Sequence, residues 1–197
     1  MPRPSQAREK RKQLLPAIAR AFAELGYRRT TTAELAGRCQ VQENTLYRLW
    51  PDKKAMFIAA IEYVYDLSVE LWTGLLAEPA DGSPAERLLS YEAEHLGEFG
   101  HARIIFAGLS ETDDPEIRAA LARMYQRYQK FVREQLGQHR AGKKKDQEET
   151  DPALIAWAFV GLGTVASIAR ELNLLGERDR KRLLTHVGRL LLEGRSA

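Results

Sequence analysis

Residues 30–54 read Thr-Thr-Thr-Ala-Glu-Leu-Ala-Gly-Arg-Cys-Gln-Val-Gln-Glu-Asn-Thr-Leu-Tyr-Arg-Leu-Trp-Pro-Asp-Lys-Lys, and this stretch decides the fold. Its apolar positions are Leu35, Ala36, Cys39, Val41, Leu46 and Trp50. That spacing lets two short helices, Thr32–Cys39 and Gln42–Leu49, share a small core at a sharp angle, with Val41 plugging the turn between them. The opposite face of the second helix carries Gln42, Glu43, Asn44, Thr45, Tyr47 and Arg48. This is a helix-turn-helix pattern, whose second helix enters the DNA major groove. The side chains suit base edges: Gln and Asn amides pair with adenine, Arg pairs with guanine, and Glu accepts from cytosine. Tyr47, Lys53 and the hydroxyls of Thr31 and Thr32 at a helix start suit phosphates.

Upstream, Leu14, Leu15, Ile18, Phe22 and Leu25 lie on one helical face, and Gly26 stops the helix. Pro16 allows two readings. Either the helix starts near it, as a first-turn proline permits, or the helix starts near Ser5–Arg8 and bends there, the preferred reading. Downstream, Asp52 caps a long segment reaching about Ala77. Ser83-Pro84-Ala85-Glu86 is a capping box opening a helix to about Phe99. A short helix over 100–110 follows, and Asp113-Asp114-Pro115 caps one to about His139. Residues 140–150 read as a mobile loop that includes Lys143–Lys145. Asp151-Pro152 caps a long apolar helix to about Leu175, and a final amphipathic helix ends at Gly194. The expectation is an all-α chain of about nine helices: four from the basic N-terminal part, then five in a bundle-like body. The functional division falls between residues 1–51 and 52–197.

The 197 residues carry a net charge of +3, and its distribution matters more than its sum. Residues 1–60 hold 12 Lys and Arg against 5 Asp and Glu, a balance of +7, and the remainder balances to −4. A basic head on a mildly acidic body fits a polyanion-binding module. Cys39 is the single cysteine, which excludes an intrachain disulfide, suits a reducing compartment and reads as a buried, inert thiol. The polar N-terminus lacks the apolar core of a secretory signal. The longest uncharged run, Pro152–Ala169, has 18 residues, falls short of the roughly 20 of a membrane span, and reads as a buried helix. A cytoplasmic protein with no membrane association is expected.

The segment Leu14–Phe57 resembles the N-terminal domain of the tetracycline-repressor (TetR) family of bacterial transcription regulators. The matching residues are Phe22 before Gly26-Tyr27, Thr31-Thr32, Leu35-Ala36, Val41, Thr45-Leu46-Tyr47, Trp50-Pro51 and Lys53. The chain departs from the family at four places. Gln40 stands where glycine is frequent, so the turn requires a non-glycine residue at positive φ. Asn44 replaces a frequent small residue, Trp50 replaces the commoner phenylalanine, and Pro16 is unusual in the first helix. The resemblance is specific over about 45 residues and architectural beyond them.

What the resemblance implies is a homodimer on a palindromic operator, regulated by a small molecule bound in the body. Recognition helices about 34–36 Å apart enter successive major grooves. An effector that favours a different spacing lowers DNA affinity by its differential binding to the two states. The expected sign is repression, with release by a small, largely apolar effector. The effector candidates are Trp72, Tyr91, His95, Phe99, Phe106, Met124, Tyr125, Tyr128 and Trp157, which also fit plain core. For the two-fold interface the candidates are Ala158, Gly161, Val165 and Ala169 with Leu183, Val187 and Leu190, which alternatively fill the intrachain core. His95, with its neighbours Glu94, Glu98 and His101, lacks a convincing metal-ligand pattern. No cofactor and no catalysis are expected, since neither a Gly-rich phosphate loop nor a nucleophile constellation occurs. The competing reading is a regulator without an effector, whose body only dimerises or binds a protein.

Overall fold

The computed structural model describes residues 4–96, 101–140 and 151–193. Nine α-helices and no strand occur among the described residues: α1 (Pro4–Arg29), α2 (Thr32–Arg38), α3 (Glu43–Leu49), α4 (Lys53–Ala77), α5 (Pro84–His95), α6 (His101–Leu109), α7 (Pro115–Arg140), α8 (Pro152–Glu171) and α9 (Glu177–Glu193). Phe99, Lys143–Lys145, most of the expected 140–150 loop and the expected end at Gly194 lie outside the described residues.

The punctuation acts through identifiable hydrogen bonds. Asp52 Oδ1 accepts from the Ala55 amide at 2.7 Å and opens α4. Ser83 and Glu86 form the reciprocal capping box of α5. Asp114 Oδ1 accepts from the amides of Glu116 and Ile117 at the start of α7, and Asp151 Oδ1 accepts from Ala153 at 2.8 Å at the start of α8. Each bond satisfies an amide that a helix start leaves without an intrahelical partner.

Helix α1 begins at Pro4, beside the preferred start near Ser5–Arg8, and its break in helical geometry falls at Gly26 (φ 75°, ψ 166°), where the sequence reading stops it; Pro16 keeps helical geometry instead of the expected bend. Two helix ends differ from the sequence reading. Helix α8 ends at Glu171, four residues early, because Asn173 takes a left-handed conformation (φ 54°) that glycine or asparagine tolerates best. Helix α5 ends at His95.

The chain forms two compact units, Met1–Ser68 with Phe99–Met124, and Val69–Glu98 with Tyr125–Ala197. In the first, Phe22, Tyr27 and Phe57 make an aromatic cluster, with Phe22 and Phe57 rings 4.9 Å apart and Tyr27 and Phe57 4.8 Å apart. Ile18, Leu35, Leu46, Met56 and Ile61 are buried in the same unit. In the second, Ala85, Leu89, Leu136, Ile155, Ala156 and Leu192 form a shared core of α5, α7, α8 and α9. At Gly188 a Cβ would sit 2.4 Å from a Leu89 methyl, so a larger residue would have to displace the Leu89 side chain.

Helix α8 does not match the buried helix expected of it. It buries Ile155, Ala156, Ala166 and Ala169 but exposes Leu154 (62%), Trp157 (44%), Val165 (55%) and Ile168 along the other face. By length and composition alone it could cross a membrane, the one such helix among the described residues.

Candidate DNA interface and body site

The head builds its reading helix from a small core. Leu35 and Ala36 of α2 and Leu46 and Leu49 of α3 are buried, as is Trp50. Between the helices Gln40 takes φ 53°, the positive value expected of a non-glycine turn. The Val41 amide then donates to the Ala36 carbonyl at 3.0 Å and closes the turn. Arg11 of α1 holds the far end of α3: its Nε donates to the Leu49 carbonyl at 2.8 Å, and its guanidinium lies 5.9 Å from the Trp50 ring. This contact was not legible from spacing, because Arg11 and Leu49 are 38 residues apart.

Each expected DNA-facing residue can be placed. Gln42 precedes α3 as its N-cap without a side-chain bond to the helix, and Gln42 and Asn44 are exposed. Arg48 is exposed and donates to Thr45 Oγ1 at 3.2 Å. Tyr47 is 47% exposed, and its hydroxyl donates to Thr32 Oγ1 at 3.3 Å. The Thr32 hydroxyl in turn donates to Glu43 Oε2 at 2.7 Å, so Glu43 and Tyr47 both tie α3 to α2. Thr31 caps α2 by accepting from the Glu34 amide at 3.1 Å. Lys53 has two of its three ammonium donors committed, to the carbonyls of Tyr27 and Thr30 at 3.0 Å each, and sits 4.4 Å from the Tyr27 ring centroid. Cys39 is partly exposed, and burial pushes its thiol pKa up, which suits an unreactive thiol.

Ion pairs tie the α6–α7 region to α1 and α4 within the first unit. Arg28 pairs with Glu111 at 2.8 Å, and Lys54 with Asp114 at 3.2 Å and with Glu116. Burial works to raise the Asp114 carboxyl, but Lys54 and the two backbone amides outweigh it and hold the carboxyl below its usual range.

The body candidates divide. Trp72, Tyr91, His95, Tyr125 and Tyr128 fall in the second unit and are partly exposed. Phe106 and Met124 fall in the first unit, where Met124 is buried core. Trp157 lies on the exposed apolar face of α8. The structure adds two residues: Glu92, whose Oε1 accepts from Trp72 Nε1 at 2.7 Å, and Phe131, 5.3 Å from the Trp72 ring. Phe131 sits three residues after Tyr128, a helical spacing that could have flagged it; no sequence signal marks Glu92. Of the interface candidates, Ala158, Gly161, Val165 and Leu190 are exposed and Leu183 and Val187 partly so. Ala169, at 4% exposure, faces the interior of its own subunit instead and cannot present its side chain to a second copy.

Residues 14–60 match the family model described as bacterial regulatory proteins, tetR family. The chain is 27% identical over 152 residues to the nucleoid occlusion factor SlmA of Citrobacter koseri, covering 76% of each. Its fold is similar to that of a TetR-family transcriptional regulator from Cytophaga hutchinsonii (TM-score 0.79, 18% identity, 98% of each chain). It is also similar to that of a transcriptional regulator from Saccharomonospora viridis in complex with choline (TM-score 0.73, 19% identity, 90% of this chain and 94% of that one). Residues 14–60 therefore form a DNA-binding domain of the tetR family of bacterial regulatory proteins, and the chain that carries it has a fold similar to that of TetR-family regulators.

Proposed function

We propose that the protein is a cytoplasmic homodimeric repressor that leaves a palindromic operator when a small, largely apolar effector binds its body. Residues 1–51 serve as the reading head and 52–197 as the effector and dimerisation part. The observation that carries this reading is the α3 surface. Asn44 and Arg48 stand exposed on a helix, with Gln42 exposed at its N-cap, and that helix is anchored from behind by Leu46 and Leu49 and held at its end by Arg11. Asn44 and Gln42 read adenine edges and Arg48 a guanine edge, while Glu43, Thr45 and Tyr47 set the helix and line its flank. Thr31, Thr32 and the third ammonium hydrogen of Lys53 contact phosphates. The exposed face of α8, with Ala158, Gly161 and Val165, and Leu183, Val187 and Leu190 of α9, joins a second copy about a two-fold axis.

Selection from random-sequence DNA by the full-length protein tests the reading. The expected product is a palindrome whose half-sites lie about 34–36 Å apart, one helical turn. Enrichment of a single asymmetric site, or none, overturns it.

A second reading is a DNA-binding factor that needs no effector. The similarity over 76% of the chain to a protein named for nucleoid occlusion, a role other than effector-released transcription control, favours it. Thermal-shift screening against apolar and ionic compounds separates the two, because a ligand selective for the native state raises apparent stability by mass action. Compounds that bind and weaken operator binding support the effector reading.

A further inference from the structure

Glu92 is an unusual residue to find in the second unit. It projects from α5 to Trp72 of α4, whose indole N–H donates to Glu92 Oε1 at 2.7 Å. The Trp72 ring lies 5.6 Å from Tyr128 and 5.3 Å from Phe131, both on α7. On the next turn of α5, His95 stacks on Tyr91 at 4.2 Å, and its Nδ1–H donates to the Tyr91 carbonyl at 3.0 Å. Burial pushes the Glu92 carboxyl up, against the opposing pulls of the Trp72 N–H and of His95. Among the described residues no lysine or arginine forms an ion pair with it. Trp72, Glu92, Tyr128 and Phe131 nevertheless all keep part of their surface accessible.

A carboxylate is a costly way to anchor an indole. Glutamine would offer Trp72 the same acceptor without the penalty of desolvating a charge. What the acid adds is negative charge, and the aromatic rings packed on Trp72 are of a kind that attracts cations as well. Both select a cation. One carboxylate beside apolar rings offers too few oxygens for a hard metal ion, whereas a weakly hydrated organic cation gains from both elements. We propose that Trp72, Glu92, Tyr128 and Phe131 form the binding site for the charged group of an organic ammonium ion that carries an apolar body. The inference rests on the reading of the body as an effector domain.

The test compares 4-(trimethylammonio)phenol with its neutral isostere 4-tert-butylphenol on the full-length protein, by tryptophan fluorescence and thermal shift. The ammonium compound is expected to bind at least tenfold more tightly than the phenol. Glu92→Gln, which keeps an acceptor for Trp72, is expected to erase that preference without lowering the melting temperature of the unliganded protein. Equal binding of the two compounds, no binding of either, or a preference that survives Glu92→Gln overturns the proposal. Operator binding separates this failure from that of the underlying reading. A Glu92-dependent ammonium ion that leaves operator affinity unchanged upholds the site and removes its effector role. A neutral compound that releases DNA while the ammonium ion does not bind upholds the effector role and removes the cation site.

Discussion

Two helices of this protein each bury one face and expose the other, and the exposed faces are chemical opposites. Helix α3 buries Leu46 and Leu49 and presents Asn44, Tyr47 and Arg48 outward. Helix α8 buries Ile155, Ala156, Ala166 and Ala169 and presents Leu154, Trp157, Val165 and Ile168 outward. The same 3.6-residue period produces both arrangements. Water satisfies the amide and guanidinium of α3, and in the proposed function base edges take its place. Water does not satisfy α8: apolar area left exposed forgoes about 25 cal/mol per Å² of burial. An exposed polar face is therefore complete in the monomer, whereas a contiguous apolar one marks a surface to be covered. Position alone says little about a face; its chemistry says what would cover it.

Breaking the apolar face should have the largest effect. Val165→Glu places a charge in the proposed two-fold contact. Sedimentation is expected to give a mass near 22.3 kDa in place of twice that value. Operator affinity should fall by about 10²–10⁴, the gain that linking two modules provides. An unchanged dimer would show that α8 is covered in some other way.

On the polar face, Asn44→Ala and Arg48→Ala are each expected to lose about 1–3 kcal/mol at one base position of the operator. Competition binding against single-base operator variants measures this, and uniform weakening at every variant would remove both residues from base reading.

Lys53 tests whether one side chain serves both folding and contact. Lys53→Ala should lower stability by about 1.5–3 kcal/mol, as expected for hydrogen bonds from a charged donor to the Tyr27 and Thr30 carbonyls. It should also make the slope of log affinity against log salt shallower by about 0.9. A loss of stability with an unchanged slope would assign Lys53 to folding alone.

The smallest effect is on pH dependence. The folded-state carboxyl of Glu92 is raised above its unfolded value, so over the pH window between the two values the folded state binds more protons. Stability should fall as pH rises through that window and level off above it. Glu92→Gln should remove this component, seen as a flatter urea-midpoint profile. An unchanged profile would mean that the carboxyl titrates as it does in the unfolded chain.

Helix starts along the chain and the turn of the head were legible because their signals are local. The cap residues Asp52, Ser83, Asp114 and Asp151 act within three residues of themselves, and the positive φ at Gln40 follows from a turn too tight for ordinary backbone. The engagement of Lys53 was not legible. Its partners, 23 and 26 residues away, are backbone carbonyls, and every residue type has one. The aromatic candidates Trp72 and Tyr128 could be named from the sequence, but their meeting could not, since residues 56 apart become neighbours only through helix packing.

By itself the sequence determined an all-α chain, the capped starts of α4, α5, α7 and α8, the helix-turn-helix and the family resemblance. Those properties rest on periodicity, capping and turn chemistry, which span a few residues each. Only the tertiary structure decided which face of α8 stays exposed, that Ala169 turns inward, and that Glu92 meets the Trp72 indole. Burial and pairing depend on which segments pack together, and a long uncharged run looks the same from either face until its neighbours are in place.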